Sequence, residues 1–433
     1  MKNVAFYTLG CKVNQVESEQ LKEIFIQRGY RVVEPGEPAN VYVVNTCTVT
    51  HVSDRKSRAV IRRIARRNLD AIIAVTGCMA QLDPEALADI PGVNLVIGSR
   101  EKENLVDIVE EYISAKTERP IVCTRVEADN RYLKPVIFSS LHERTRAFVK
   151  IQDGCQSFCS YCIVPYVRGK VRSKLPEDVL GEVRQLVSLG YREIVITGIH
   201  TGQYGLDLID WDLHRLLVHI LHNVEGDYRL RLSSIEPLEM KDELIELMRM
   251  DKRICPHFHI PLQSGSDRIL KLMHRRYDRS YYMDLIRTIA ASLPRASFTS
   301  DVMVGFPGES EADFQQTIDL LLQLPLLDLH VFKYSPRPGT PAADFAHQVK
   351  PEIKQARSET LLELARTKHD EFIIRFMGEE FEVLVEREVN GFFYGFTENY
   401  IETAFCASQN LCGGFARIKL TGINGPVATA ELV

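Results

Sequence analysis

Cys155, Cys159 and Cys162 stand in the run GCQSFCSYCIVPYVRG, a spacing that gathers three thiolates round one corner of a metal cluster and supplies no fourth. A structural zinc site takes a closed set of four nitrogen or sulfur ligands, usually as CxxC with a second Cys/His pair downstream. Three soft ligands suit a four-iron four-sulfur cluster whose remaining iron takes a substrate or cofactor. Three more cysteines, Cys11 in TLGCKVNQ, Cys47 in VNTCTVT and Cys78 in VTGCMAQ, each follow a strand-like run and read as a second three-thiolate site.

The elements that must position the second set are legible. Strand-like NVAFYTL, VYVVNT and AIIAVTG alternate with helix-like stretches at 15–28, 53–68 and 84–90, followed by LVIG and a helix over 103–115. This alternation predicts an α/β fold with a doubly wound parallel sheet over 1–115. Parallel strands put their carboxyl ends on one edge, where open α/β sheets bind ligands, so the three cysteines converge. Gly10 and Gly77 beside them suggest backbone turned tightly toward something bound.

From 145 to 372 strand and helix repeat about six times, which predicts a partial (β/α)6 barrel. Polar and glycine residues cluster after each strand: the cysteine loop, Gly198 to His200, Ser233 to Glu236, Gln263 to Gly265, Gly305 to Gly308 and Ser335 to Thr340. Barrel enzymes place chemistry at strand carboxyl ends, so these loops ring one mouth. Glu236 is the acid expected to contact a cofactor, with Ser234 and Gln263 beside it; Gly198 and Gly265 let main-chain amides approach closely. The stretch 116–144 is polar and aperiodic and reads as a linker. After a helix over 351–375, five short strands from about 376 to 433 predict a small β-barrel, the domain taken as 373–433. That segment carries eight glutamates against Arg375, Arg387, Arg417 and Lys419, a balance unfavourable to RNA binding by this domain alone.

The run SDRKSRAVIRRIARRN has the opposite character. Arg55, Arg58, Arg62 and Arg66 recur at helical spacing on one face while Ile61, Ile64 and Ala65 form the other. So many cations repel one another unless an anion such as an RNA backbone lies across them. Because the net charge of the 433 residues is only −5, a polyanion must be held by such local patches. No apolar run approaches the roughly 18 residues of a membrane span, and the N-terminus has no signal-like apolar stretch. A cytoplasmic location is expected, where ten cysteines serve metals or catalysis rather than disulfides.

The CxxxCxYC loop, with Tyr161 before its last cysteine, resembles the signature of radical S-adenosylmethionine (SAM) enzymes. Together with the three N-terminal cysteines, IVPYVRG, LSSIEP, PLQSG, DVMVGFPGE and SPRPGTPA, it resembles the methylthiotransferases over nearly the whole chain. The resemblance implies an auxiliary four-iron four-sulfur cluster on Cys11, Cys47 and Cys78, a SAM-binding cluster on Cys155, Cys159 and Cys162, and a C-terminal TRAM domain. TLGCKVNQ at the first cysteine is similar to the sub-group that methylthiolates carbon 2 of N6-threonylcarbamoyladenosine beside the tRNA anticodon. That implies a tRNA anticodon loop, an electron donor and a sulfur source as partners. Lys12, Asn14 and Gln15 stand beside Cys11, where the sulfur is delivered, and are expected to face the base or frame its approach. Isopentenyladenosine tRNA and a ribosomal-protein aspartate are the alternative substrates.

Overall fold

Val41–Thr46 is buried at all six positions, as a β-branched run must be when helices cover both faces of a parallel sheet. It is the centre of the first of two compact units into which the chain divides, Met1–Ser139 with Gln152–Asp178 and Ser335–Ala343, and Ser140–Ile151 with Val179–Tyr334 and Asp344–Val433. The structure, a computed structural model, describes residues 2–115, 121–123, 133–135 and 145–433.

In the first unit the elements run β1 (Asn3–Thr8), α1 (Lys12–Gln27), β2 (Arg31–Val33), β3 (Val41–Thr46), α2 (His51–Arg67), β4 (Ile72–Gly77), α3 (Cys78–Leu82), α4 (Pro84–Ala88), β5 (Leu95–Ile97), α5 (Leu105–Ala115) and β6 (Ile121–Val122). All six strands pair in parallel in the order β2-β1-β3-β4-β5-β6. The order reverses between β1 and β3, which opens a crevice at their carboxyl ends. Two apolar clusters, one including Ile61, Ile64, Ile73 and Val75 and the other Phe6, Phe25, Val43 and Ala74, pack the helices onto the sheet. Strand β6 lies within the expected linker 116–144, of which only 121–123 and 133–135 are among the described residues.

Strand β7 (Arg146–Asp153) starts in the second unit and ends in the first, where α6 (Val164–Arg168) and β8 (Arg172–Ser173) follow it. After α7 (Pro176–Ser188) the second unit continues with β9 (Glu193–Gly198), α8 (Leu213–Asn223), β10 (Arg229–Leu232), α9 (Asp242–Met250), β11 (His257–His259), α10 (Asp267–Leu272), α11 (Arg279–Ser292), β12 (Ser297–Val304), α12 (Glu311–Leu322) and β13 (Leu326–Lys333). Parallel pairing joins β10 to β9 and runs through β11-β12-β13. The long helix α13 (Pro351–Arg375) leads to β14 (Glu380–Val389), β15 (Phe392–Thr397), β16 (Glu402–Cys406), β17 (Phe415–Asn424) and β18 (Val427–Leu432), which close a barrel in the order β14-β15-β16-β18-β17. Its core includes Phe381, Val383, Phe393, Phe405 and Ile418.

Buried charge ties this barrel to the strands before it. Glu193, fully buried, accepts from Arg229 Nε at 2.7 Å and Arg231 Nε at 2.8 Å. The same guanidinium groups donate to the carbonyls of Phe396 at 2.9 Å, Thr397 at 3.1 Å and Glu398 at 3.1 Å. Although desolvation opposes its charge, Arg231 and Arg229 hold the Glu193 carboxyl well below the usual carboxylate range. A depressed carboxylate contributes stability that is present above its unfolded pKa and is lost as pH falls toward the folded value. Removing one partner of such a buried set costs about 3–5 kcal/mol. Glu193→Gln should therefore melt lower at neutral pH, and its gap from the parent should narrow below about pH 4. Melting curves across pH check this; a gap independent of pH contradicts it.

Candidate active site

Register brings the N-terminal cysteines together. Thr8 pairs with Asn45 and Thr46 with Gly77, so the chain after β1, β3 and β4 emerges side by side at one edge. Cys11 caps α1, Cys47 follows β3 and Cys78 opens α3. The intervening glycines have a steric cause. At Gly10, φ +101°, a Cβ would fall 2.5 Å from Cys47 Cβ and 2.7 Å from its Sγ; at Gly77, φ +100°, it would fall 2.3 Å from Thr46 O. Only glycine lets these turns lie so close. Burial pushes the Cys11 and Cys47 thiols up, and Cys78 pushes both further. Cys11 keeps an exposed edge, but protein packed round its sulfur dominates, while Arg168 opposes the rise.

The second triad lies on the loop after β7. Gly154, φ +77°, would place a Cβ 1.9 Å from Lys170 O, and Phe158 takes φ +46° between the first two cysteines. The loop is tied by Cys155 N–H to Gly169 O at 3.0 Å and Cys162 N–H to Cys159 O at 2.9 Å. Tyr161 is half-buried within it. None of the ten cysteines is in a disulfide. Six soft donors in two groups, three on adjacent strand ends and three on one tight loop, fit two iron–sulfur clusters.

Arg168 joins the two groups. It ends α6, whose Val167 packs with Ile163 against Cys78. Only 1% exposed, Arg168 donates from Nε to Cys78 Sγ at 3.3 Å and from Nη2 to Asn14 Oδ1 at 2.8 Å. It pairs with Glu17, and with Asp153 at 3.4 Å. Lys102 is buried on the far side of Glu17, bonded to it and to Asn45 Oδ1 at 3.2 Å. Desolvation lowers the Lys102 pKa while Glu17 opposes that change. A guanidinium offers five donors in a fixed fork, which lets Arg168 serve a sulfur, an amide and two carboxylates at once. It is the arginine of IVPYVRG, but no pattern in the sequence points to its partners.

Asn14 does not frame a base, contrary to expectation. It is fully buried, donating to Leu9 O at 2.8 Å and Thr46 O at 3.0 Å as well as accepting from Arg168. Its amide is spent holding strand ends together. Lys12 and Gln15 are exposed.

In the second unit Gly198 ends β9, and Ser234, Glu236, Gln263 and Gly265 follow β10 and β11. Glu236 pairs with the buried Arg275, whose Nη1 lies 3.1 Å from Oε1. Gln263, φ +67°, donates its N–H to Asp301 O and accepts from Met303 N–H, each at 2.8 Å. The reason expected for Gly265 needs correction. Its amide already donates to Thr317 Oγ1 at 2.9 Å, and a Cβ there would fall 2.5 Å from Thr317 Cα. Close packing on α12 accounts for the glycine.

Helix α2 buries Ser57, Ile61, Ile64 and Ala65 and leaves Arg55, Lys56, Arg62, Arg66 and Arg67 exposed. Its start is held by the Thr50 side chain, which accepts from Ser53 N–H at 3.2 Å, and by Asp54, paired with buried Arg337 at 2.7 Å. Arg58 is drawn aside to Asp83 at 3.2 Å, so it is a partly neutralised member of the face. If the face meets phosphates, Arg62→Glu with Arg66→Glu should weaken tRNA binding and lower the slope of log K against log salt by roughly one unit per lost contact. An unchanged slope in a salt titration would leave the face simply solvated.

Comparison with known proteins bears on the same regions. The Radical SAM superfamily matches residues 149–321, and the family described as Uncharacterized protein family UPF0004 matches 3–98. The threonylcarbamoyladenosine tRNA methylthiotransferase MtaB of Bacillus subtilis is 40% identical over 100% of this chain and 97% of its own. That of Aquifex aeolicus is 42% identical over 92% of this chain and 95% of its own. The chain belongs to the radical SAM methylthiotransferases. The tRNA-2-methylthio-N(6)-dimethylallyladenosine synthase of Carboxydothermus hydrogenoformans is also similar, 35% identical over 97% of both chains. The radical SAM methyltransferase TsrM of Kitasatospora setae, at 15% identity and TM-score 0.60 over 79% of this chain and 75% of its own, shares the fold. Membership makes the chain an enzyme that uses SAM and a four-iron four-sulfur cluster. Among the described residues no helix is long and apolar enough to cross a membrane.

Proposed function

We propose that this enzyme replaces the hydrogen on carbon 2 of N6-threonylcarbamoyladenosine, 3′ of the tRNA anticodon, with a methylthio group. The observation that carries the two-cluster part is Arg168, which ends the helix after the CxxxCxYC loop and donates to Cys78 Sγ at 3.3 Å. Cys11, Cys47 and Cys78 would hold an auxiliary cluster; Cys155, Cys159 and Cys162 would hold the SAM-binding one, with Tyr161, Gly198, Ser234, Glu236, Gln263 and Gly265 about the cofactor. When bound, these groups supply an adenosyl radical at one cluster and the sulfur to be transferred at the other. The chain's own residues position and exclude. Arg168 compensates the negative charge that three thiolates bring into a buried crevice. Gly10 and Gly77 keep the cysteine turns close.

The domains assign as 1–115 for the auxiliary cluster, 145–372 for the radical chemistry and 373–433 as the TRAM-like barrel. Arg55, Arg62 and Arg66 hold RNA backbone, with Arg58 contributing less because of Asp83. An adenine in the anticodon loop is unpaired, so presenting it to the enzyme costs little. An electron donor and a sulfur source complete the reaction, and a reducing cytoplasm suits six cysteines outside any disulfide. The threonylcarbamoyl substrate is favoured by the identity to MtaB proteins. Expression in a host lacking its own enzyme of this kind tests the reading. Mass spectrometry of tRNA nucleosides should then show methylthio-threonylcarbamoyladenosine; methylthio-isopentenyladenosine alone would overturn the choice of substrate.

A further inference from the structure

The two cysteine sets and helix α6 all lie in the first unit. Ile163 and Val167 turn inward to pack on Cys78. Tyr166, beside them on α6, is 42% exposed, and Phe158, between Cys155 and Cys159, is 50% exposed. Their rings meet edge to face, with centroids 5.9 Å apart and planes at 82°. Such a pair leaves each ring a face open to solvent. Among the described residues the Tyr166 hydroxyl has no hydrogen-bond partner, so nothing else in the chain accounts for its outward position.

Phe158 also holds a backbone conformation that costs it. Its φ of +46° lies in the left-handed region, which glycine or asparagine enters far more readily than a bulky aromatic residue. A ring held half in solvent gains little from burial to offset that cost, and strained residues of this kind gather at ligand sites. Position narrows the ligand. Phe158 is bonded to Cys159, while α6 ends in Arg168, which reaches Cys78 Sγ. The pair therefore stands where one cysteine set is joined to the other, and a base that receives radical from one and sulfur from the other must be brought there. Taking that base out of its loop strips its neighbours of a stacking partner. An exposed aromatic ring replaces it, since every base has a π-face that such a ring can cover.

We propose that Phe158 and Tyr166 form a stacking platform for an unpaired base next to the modified adenosine in the tRNA anticodon loop. This rests on the function proposed above and adds a contact of a kind that the basic face of α2 does not supply. The platform is uncharged, so it holds a base without displacing counterions.

The test uses reconstituted holoenzyme with Phe158→Asn, Tyr166→Ala and Tyr166→Phe. Asparagine suits the left-handed backbone, so it removes the ring while keeping the turn. Iron content, and 5′-deoxyadenosine formed from SAM and dithionite without RNA, should match the parent in all three. Phe158→Asn and Tyr166→Ala should each raise Kd for tRNA carrying threonylcarbamoyladenosine on the order of 10-fold, with the slope of log K against log salt unchanged. Tyr166→Phe, which keeps the ring, should bind as the parent does. Unchanged tRNA affinity in both ring-deleted variants would overturn the platform. Unchanged affinity with turnover lost only when a reduced flavin protein replaces dithionite would overturn it in favour of a docking face for the electron donor. Loss of iron or of RNA-free cleavage would overturn it as well, making the rings part of the cluster loop. A parent that binds this tRNA but does not methylthiolate it would instead sink the proposed function, while the binding measurements still decide the platform.

Discussion

Changing Cys155, Cys159 and Cys162 together to alanine should lower the iron of anaerobically reconstituted protein from about eight to about four per chain and abolish methylthiolation. The reason is geometric. These three thiols share one loop fixed at Gly154 and by the Cys155–Gly169 bond, while Cys11, Cys47 and Cys78 are presented by the ends of three strands. Each set has its own scaffold, so losing one leaves the other's ligands intact. Replacing the N-terminal three should give the mirror result, again about four irons. Cys123, Cys255, Cys406 and Cys412 belong to neither group. Cys255 is fully buried, its thiol pushed up to about 11 by desolvation. Iron falling to zero in either triple variant would mean one shared site, and iron lost on changing any of the other four would redraw the ligand sets.

The second large effect is expected at Arg168. Replacing it by methionine keeps much of the volume but takes one cation from Glu17, which also pairs with Lys102, and from Asp153, which also pairs with Arg172, and removes the donor that Asn14 Oδ1 accepts from. Breaking a buried set of this kind costs about 3–5 kcal/mol, because the remaining charges stay desolvated. Melting of the apo-protein should fall accordingly. Iron at the N-terminal site should fall too, since Cys78 loses the N–H donor that holds its sulfur in place. Arg168→Lys should recover little, as one ammonium cannot reach the partners that the fork serves. A double-mutant cycle of Arg168→Met with Glu17→Gln should show the two positions to be coupled rather than additive. Unchanged melting and full iron in Arg168→Met would show that the guanidinium is incidental to the site.

Where side-chain type determines geometry, the sequence was informative. Val41–Thr46 and Ile72–Gly77 are β-branched runs buried on both faces, and their parallel pairing brings Cys47 and Cys78 to one edge as the alternation of elements predicts. Strands β2, β6 and β8, of two or three residues, carry no periodicity to read. Helix α1 begins at Lys12 rather than 15 because Cys11 itself takes the capping position, which sends Asn14 inward to bond strand ends. Partners distant in sequence were hidden for a different reason. Arg168 and Glu17 are 151 residues apart, Arg58 and Asp83 are 25. Neither pairing leaves a local trace, so a buried hub and a neutralised surface cation both look like ordinary members of basic runs.

The central claim, that two clusters cooperate to methylthiolate threonylcarbamoyladenosine in tRNA, is tested most directly by single-turnover reaction of reconstituted enzyme. Reductant and SAM are supplied with a tRNA bearing threonylcarbamoyladenosine and, in competition, one bearing isopentenyladenosine. Mass spectrometry of the digested nucleosides should find the methylthio group on the threonylcarbamoyl nucleoside, with 5′-deoxyadenosine formed alongside it, and no product from enzyme changed at Cys47 or Cys159. Equal methylthiolation of the isopentenyl nucleoside, or undiminished product after the loss of either cysteine, would contradict the account.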